Sequence, residues 1–576
     1  METMTPHPVL LSAYAAKQCP VRVHNDFHPQ IPKAVWEPPP ELQARFDAGR
    51  AFESEVFTLL SALNPGTVLI DSDSGPLGAI DATVSAMAAG VPLILNSWLP
   101  DDADGGRKGR PDVLIRVGDG YLPADIKSHV TLKSAKKVTS TVSRPGTPAQ
   151  RFELRGWSCA AKHRFADGMQ LAHYTRMLQA CGYHAGPGWG AVLGTSTVAA
   201  APGEEPGLLF TWIPLDEPLY QTFSRSEGKK IRSLLERYDH EHGFRLKVAD
   251  TALRIVGRPD DPEPLVAPIG QDECHQCPYG QWCADLMGPD DPSVAITEGR
   301  LTLREYRTLR RLGVETTAAL SAVNLDDPDF SDEYFAEVSH YSRDEARRRL
   351  GKAIHRARMI CGGEALERIG ERPLHVPVAD VEIDLDIESD TSNRVYMWGV
   401  RIRRGTDDAT ARYLTDFIEW EPLDSVRERE LAGRFVAWLR EQCAATRSRG
   451  QTIAVFHWTG YETAQLRSIL GRDEIGDLLD PDHGIFVDLH KFFTANFFSV
   501  HGAKLKTVAP IFGFSWRVED PGGSISQLYL SQVHGTTGDS HDPDIVAGAK
   551  RWLLSYNEDD TTATAKIRDG MRGWNG

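Results

Sequence analysis

Residues 109–129, GRPDVLIRVGDGYLPADIKSH, place Pro111-Asp112 and Asp125-Ile126-Lys127 at the ends of two short apolar runs joined by a Gly-rich turn. Side chains alternate along a strand, so Asp125 and Lys127 project from one face, and Asp112, at an end of the neighbouring strand, can meet them. Two carboxylates can hold a divalent cation, and Mg²⁺ takes few carboxylates while keeping several waters. A lysine beside such an ion can orient or help deprotonate an attacking water and offset charge on a phosphorane, the equipment of metal-assisted phosphodiester hydrolysis. The ordinary alternative is a turn-flanking Asp and a surface Asp–Lys pair, because D-x-K is a short, common pattern.

Two further groups of residues could do chemistry. Cys274, Cys277 and Cys283 form C-x2-C-x5-C in ECHQCPYGQWCADL. Such spacing in a chain with no secretion signal points first to a metal or cluster site, and either a zinc or an iron–sulfur site needs a fourth ligand from elsewhere. Buried reduced thiols are the plain alternative. In VEIDLDIESD, Asp384, Asp386 and Glu388 share one strand face, which calls for a cation or substrate there, or for an edge strand open to water. Tyr556-x3-Asp560 and His457-x3-Tyr461-Glu462 complete a second acidic set.

The elements that must position these groups follow from periodicity. A chain of 576 residues exceeds one core and predicts two to four domains. Helical spacing runs through 41–63 and 166–181, and strands are predicted around 67–70, 91–99, 112–118, 120–128, 189–196 and 208–215. After a boundary near 288–299 the pattern turns helical, and strands return at 381–389, 395–403 and 413–420. The expected organisation is α/β throughout: one α/β domain over 1–290, a helical connector over 291–372 and a second α/β domain over 373–576. In the connector, Leu312-Gly313-Val314 between two helices fits either one helix–hairpin–helix or plain helical packing. The Arg-rich segment 342–359 fits either a phosphate-tracking helix or a solvated one. Residues 132–140, LKSAKKVTS, read as an exposed loop that could hold a substrate strand.

A net charge of −16 argues against a bulk nucleic-acid binder but not against a nuclease, where metal-binding acids lower the total and a local basic groove binds. The first residues lack a basic leader, and no apolar run reaches the ~18 residues of a membrane span, so the expectation is a cytoplasmic protein without a membrane partner. There is no G-x4-G-K-[ST] phosphate loop, so any helicase is a separate partner.

The first set of residues resembles the RecB-type nucleases of the PD-(D/E)xK, restriction-endonuclease-like fold. Pro111-Asp112 and Asp125-Ile126-Lys127 match their second and third motifs, GRAFESE with Glu53 matches the first, and Gln170 and Tyr174 match the Q-x3-Y motif. The resemblance implies a metal held by Glu53, Asp112, Asp125 and the carbonyl of Ile126, with Gln170 and Tyr174 near the substrate strand. Phe52 departs from relatives that carry a histidine there. A subset of the family carries a 4Fe–4S cluster on one cysteine before the core and three after, which here implies Cys19 with Cys274, Cys277 and Cys283; zinc is the alternative. The second set resembles DnaQ-class, YprB-like RNase H-fold exonucleases, implying Asp386, Glu388, Glu462 and Asp560 around Mg²⁺ or Mn²⁺ and Tyr556 orienting water. Glu462 stands where that pattern has aspartate. Together the two resemblances imply a DNA nuclease of repair, recombination or defence, acting on single-stranded or end-containing DNA. RNA is an alternative substrate for the second domain, and a scaffold with weak or lost catalysis working beside a helicase is the other reading.

Overall fold

The computed structural model describes residues 9–33, 36–186, 188–224, 227–480, 483–519, 521–535 and 542–574. The chain divides into two compact units, one formed by residues up to Glu37, Arg45–Gly288 and Glu337–Ser342, the other by Pro38–Ala44, Pro289–Ala336 and Arg343–Gly576. Among the described residues no helix is long and apolar enough to cross a membrane.

The first unit runs α1 (Pro20–Phe27), α2 (Pro40–Leu63), β1 (Val68–Leu69), α3 (Gly75–Ala88), β2 (Leu93–Leu95), β3 (Val113–Val117), β4 (Gly120–Ile126), β5 (Leu132–Ser143), β6 (Arg151–Cys159), α4 (Ala161–Ala180), β7 (Trp189–Val198) and β8 (Gly207–Pro214). A separate hairpin, β9 (Tyr220–Ser224) with β10 (Gly228–Arg232), precedes α5 (Leu234–Leu253) and α6 (Gly280–Met287). Eight strands form one sheet in the order β1-β2-β3-β4-β7-β8-β5-β6. β3 and β4 are an antiparallel hairpin, and β7 lies parallel to β4 after the α4 crossover. Alternation sorts the sheet. Val113, Ile115, Leu122, Ala124 and Ile126 pack with Val56 and Leu60 of α2 on one face. Leu114 and Tyr121 pack with Tyr174, Met177 and Leu178 of α4 on the other. Residues 132–140, read from sequence as a loop, are strand β5, paired with β6.

The second unit begins with short helices, α7 (Pro292–Ala295), α8 (Leu303–Arg311), α9 (Thr317–Ser321) and α10 (Pro328–Glu337), and the longer α11 (Arg343–Gly362). Gly313, at φ +78°, ends α8 in the left-handed conformation that glycine adopts freely. The arginines of α11 are used inside the unit: Arg349 pairs with the fully buried Glu305 at 2.8 Å, Arg348 with Glu345 at 2.6 Å, and Arg358 donates to the Ser321 carbonyl. Then follow β11 (Leu366–Arg368), β12 (Val381–Ser389), β13 (Val395–Arg404), β14 (Asp407–Leu414), α12 (Ser425–Arg447), β15 (Ile453–His457), α13 (Tyr461–Leu470), α14 (Arg472–Ile475), β16 (Phe486–Asp488), α15 (Leu489–Asn496), β17 (Phe497–Ser499), α16 (Leu505–Val508), α17 (Gly523–Val533) and α18 (Pro543–Arg572). The sheet order is β14-β13-β12-β15-β16, antiparallel among the first three and parallel from β12 to β16, with β11 pairing β17 apart from it. On β12, Ile383, Leu385 and Ile387 pack with Leu431, Phe435 and Leu439 of α12. The intervening acids take the other face, toward α18.

Candidate active sites

In the first unit, Val113 sits opposite Ala124 in the β3–β4 register, so Asp112 comes level with Asp125. Asp112 Oδ2 accepts the Ile126 N–H at 2.7 Å, and Lys127 Nζ lies 3.1 Å from Asp125 Oδ2. Asp125 is fully buried on a central strand, yet neither of its oxygens receives an aligned hydrogen bond. Burial, then the Asp125 charge, pushes Asp112 up to about 8; burial also raises Glu53, which stands half-buried on α2 near Lys127 and Asp125. The carboxylates around Lys127 hold its ammonium above the usual range despite burial. Gln170 and Tyr174, one turn apart on α4, are joined by a hydrogen bond from Nε2 to the phenol at 3.0 Å. Glu53, Asp112, Lys127, Gln170 and Tyr174 line one cleft of about 1130 Å³, together with Arg110, which stacks 4.5 Å from the Trp98 ring centre. Phe52 turns into the α2 face of the core. Glu53, Asp112 and Asp125 do not close into a three-carboxylate group with ligand atoms within 4.8 Å of one another; among the described residues only the acids of the second unit do.

Cys19, Cys277 and Cys283 gather at one apolar patch with Val21, Val248 and Tyr279, and Cys274 is an electrostatic neighbour of Cys283. Cys19 precedes α1, Cys274 and Cys277 flank a tight turn, and Cys283 lies on α6. A Cβ at Gly280 would lie 2.2 Å from the Cys274 carbonyl, so only glycine lets that turn fold so closely. Burial raises Cys283 to about 11, and the neighbouring Cys277, Cys19 and Cys274 add to it. No three of these sulfurs fall within 4.8 Å of one another.

In the second unit the acids of β12 divide into two pairs by what lies across the strand. Glu382 and Asp384 face Arg403 and Arg401, whereas Asp386 and Glu388 face Gly399 and Met397. Glu382 is paired by Arg403 at 2.7 Å and Arg568 at 2.9 Å, and Asp384 by Arg401 at 3.2 Å and by Arg568. The cation that Asp384 requires is thus arginine, and β12 is a central strand, not an edge. Asp386 and Glu388 instead meet Asp560 of α18, their ligand oxygens within 4.8 Å of one another. Asn557 Nδ2 donates to Asp386 at 2.8 Å, Ser526 to Glu388 at 2.9 Å and Trp516 Nε1 to Asp560 at 2.6 Å. Burial, then Asp560, raises both Asp386 and Glu388, the latter to about 8; Asp560 is raised to about 6 by burial, with Lys506 opposing. Lys506 Nζ donates to the Tyr556 hydroxyl, which also hydrogen-bonds Asp560. Glu462, at the start of α13, is buried beside this group, but its carboxylate lies 3.4 Å from His457 Nδ1 and 3.5 Å from Thr459 Oγ1, outside the three-acid group. Asp488 caps α15, accepting from the Lys491 N–H. Lys17 in the first unit, and Lys506, Trp516, Ser526 and Asn557 in the second, are site neighbours that the sequence patterns did not mark; only Asn557, beside Tyr556, stood within a motif.

Residues 384–572 match the family model RNase_H_2 of the RNase_H superfamily. The second unit therefore carries an RNase H-superfamily domain, with the strand order and carboxylate group just described. No curated protein and no solved structure matches the chain.

Proposed function

We propose that the chain is a metal-dependent nuclease that hydrolyses DNA phosphodiester bonds, on single-stranded or end-containing DNA. The observation that carries this is the Asp386–Glu388–Asp560 group in an RNase H-superfamily domain. Three acids with raised proton affinity, Glu388 and Asp560 buried and Asp386 half-buried, suit a divalent cation, Mg²⁺ or Mn²⁺, which when bound polarises a phosphodiester and activates water. Tyr556 accepts from Lys506 and turns its proton to Asp560, which leaves the phenol oxygen placed to orient a water.

The first unit supports a second centre of PD-(D/E)xK type. The fully buried Asp125, whose oxygens have no aligned hydrogen bond and only the Lys127 ammonium as counter-charge, suits with Asp112 a metal and a phosphate, and Arg110 on Trp98 offers a cation and a stacking surface to a strand. At the cysteines we propose a 4Fe–4S cluster rather than zinc. Tetrahedral Zn–S bonds of ~2.3 Å would bring all four sulfurs to about 3.8 Å of one another, whereas no three of these sulfurs lie within 4.8 Å of one another. Iron and zinc analysis of anaerobically purified protein distinguishes the two.

Cleavage of end-labelled single- and double-stranded DNA with Mg²⁺ or Mn²⁺ tests the function, comparing wild type with K127A, D386A and the double variant, and matched RNA as competitor. Loss of cutting in K127A assigns the main activity to the first unit, and loss in D386A to the second. If wild type binds DNA but does not cut, the scaffold reading stands, which Glu462 held by His457 and Thr459 favours.

A further inference from the structure

We propose that Lys17 is a positioning residue for the first unit's centre: it fixes the amide of Gln170 toward the substrate strand, and the cysteine-bearing segment holds it in place. The proposal rests on reading that centre as a nuclease site.

Lys17 ends a short turn, Ala15–Lys17, and its ammonium donates to Gln170 Oε1 at 2.7 Å. While protonated, a lysine has only donors, so the amide atom facing it must be the oxygen. That sets the other end of the amide: Nε2 turns to Tyr174, giving it one N–H at 3.0 Å. Gln170 and Tyr174 both line the cleft, so the second N–H of the amide is presented as a donor to a phosphate oxygen. Without Lys17 the amide is free to rotate and present its oxygen, which repels a phosphate.

The contacts that hold Lys17 come from far along the chain. Arg245 donates to the Gln18 carbonyl at 2.8 Å. The Cys19 N–H donates to Glu273 at 3.3 Å, Gln271 Nε2 reaches the Cys19 sulfur at 3.9 Å, and Asn25 reaches the Cys283 sulfur at 3.8 Å. Tyr279 donates to Asp26 at 2.9 Å. Gln18 is thus tied to Arg245, and Cys19, Asn25 and Asp26 to 271–283, with Lys17 two positions before Cys19. Disturbing the thiols releases the lysine.

The test uses full-length protein and end-labelled single-stranded DNA with Mn²⁺. K17M is expected to raise KM about tenfold, the scale of one lost charged hydrogen bond, with kcat changed less than about threefold. K17R, which keeps the donor, is expected to restore most of the affinity. Q170L should match K17M, and the K17M/Q170L double variant should be no worse than Q170L. C19S is expected to raise hydrogen exchange over residues 12–18 and to shift KM as K17M does. An unchanged KM in K17M, losses that multiply in the double variant, or unchanged exchange in C19S overturns the proposal while the nuclease reading stands. Full cutting by K127A overturns the reading of the first unit's centre as a nuclease site, whatever Lys17 does.

Discussion

Lys506 Nζ lies 2.6 Å from the Tyr556 hydroxyl and 4.4 Å above the centre of its ring. The ammonium also stabilises the ionised forms of Asp386, Glu388 and Asp560. One lysine therefore both sets the direction of the phenol proton and eases the ionisation of the three acids that would hold a metal. It comes from a four-residue helix with no periodic pattern of its own.

K506M should shift the acidic limb of the pH–rate profile toward alkaline pH. The acids must lose protons to hold a cation, burial already raises them, and Lys506 lowers all three. Without it their proton affinity rises further, so the limb should move up by about one pH unit. The measurement is a pH profile in a K127A background, which isolates the second unit. An unmoved limb contradicts the coupling.

Asp112 makes stability depend on pH in a definite direction. Its folded pKa, about 8, lies above the ordinary carboxyl value, so the native state keeps a proton that the unfolded chain releases. The stabilisation is complete below about pH 4 and is lost as pH rises through about 8. D112N keeps the shape and cannot ionise, so at pH 8.5 without metal it should melt about 2–4 °C higher than wild type, with the gap closing near pH 4. Added Mn²⁺ should raise the first unit's melting transition in wild type and leave that transition little changed in D112N. Thermal melts over that pH range decide it.

Arg568 is fully buried and meets Asp384 and, at 2.9 Å, Glu382. Removing one member of a buried charge network leaves its partners uncompensated, at a cost of roughly 3–5 kcal/mol. R568M should therefore lower the second unit's unfolding free energy, read from its urea midpoint and slope, by an amount of that order, whereas K506M should leave it nearly unchanged. Equal midpoints for R568M and wild type would show that Arg401, Arg403 and Arg572 compensate fully.

The Asp112, Asp125 and Lys127 constellation was legible because a hairpin joins its two strands, so alternation and register alone bring the three together. The acids of β12 were legible as a face, but not their division. Asp384 looks like Asp386 until α18 delivers Arg568, 184 residues away. Lys17 and Lys506 arrive on short turns that carry no repeat. Strand β5 was missed for another reason: Lys133, Lys136 and Lys137 leave no apolar side to alternate against. Helix α3, with Gly75 and Gly78 in its first turns, gave no clear helical start. Pattern reading thus finds groups set by local periodicity and misses those supplied by a distant segment.

Gly399 supplies the last prediction. It lies across from Asp386, and a Cβ there would sit 1.5 Å from Asn557 Oδ1. Tyr413 donates to that same oxygen at 2.8 Å, which turns the Asn557 nitrogen onto Asp386 at 2.8 Å. The absence of a side chain at 399 is what lets α18 bring its asparagine to the carboxylates. G399A should push Asn557 away, leave Asp386 without its donor and weaken Mn²⁺ binding about tenfold or more, as loss of a hydrogen bond behind a metal ligand does. N557A should give a similar loss of affinity without the steric clash, so its melting temperature should fall less than that of G399A. Calorimetric Mn²⁺ titration and melts of the two variants, in a D112N background to silence the first unit, separate the outcomes. Undiminished Mn²⁺ affinity in both would mean that Asp386 needs no partner on α18 beyond Asp560.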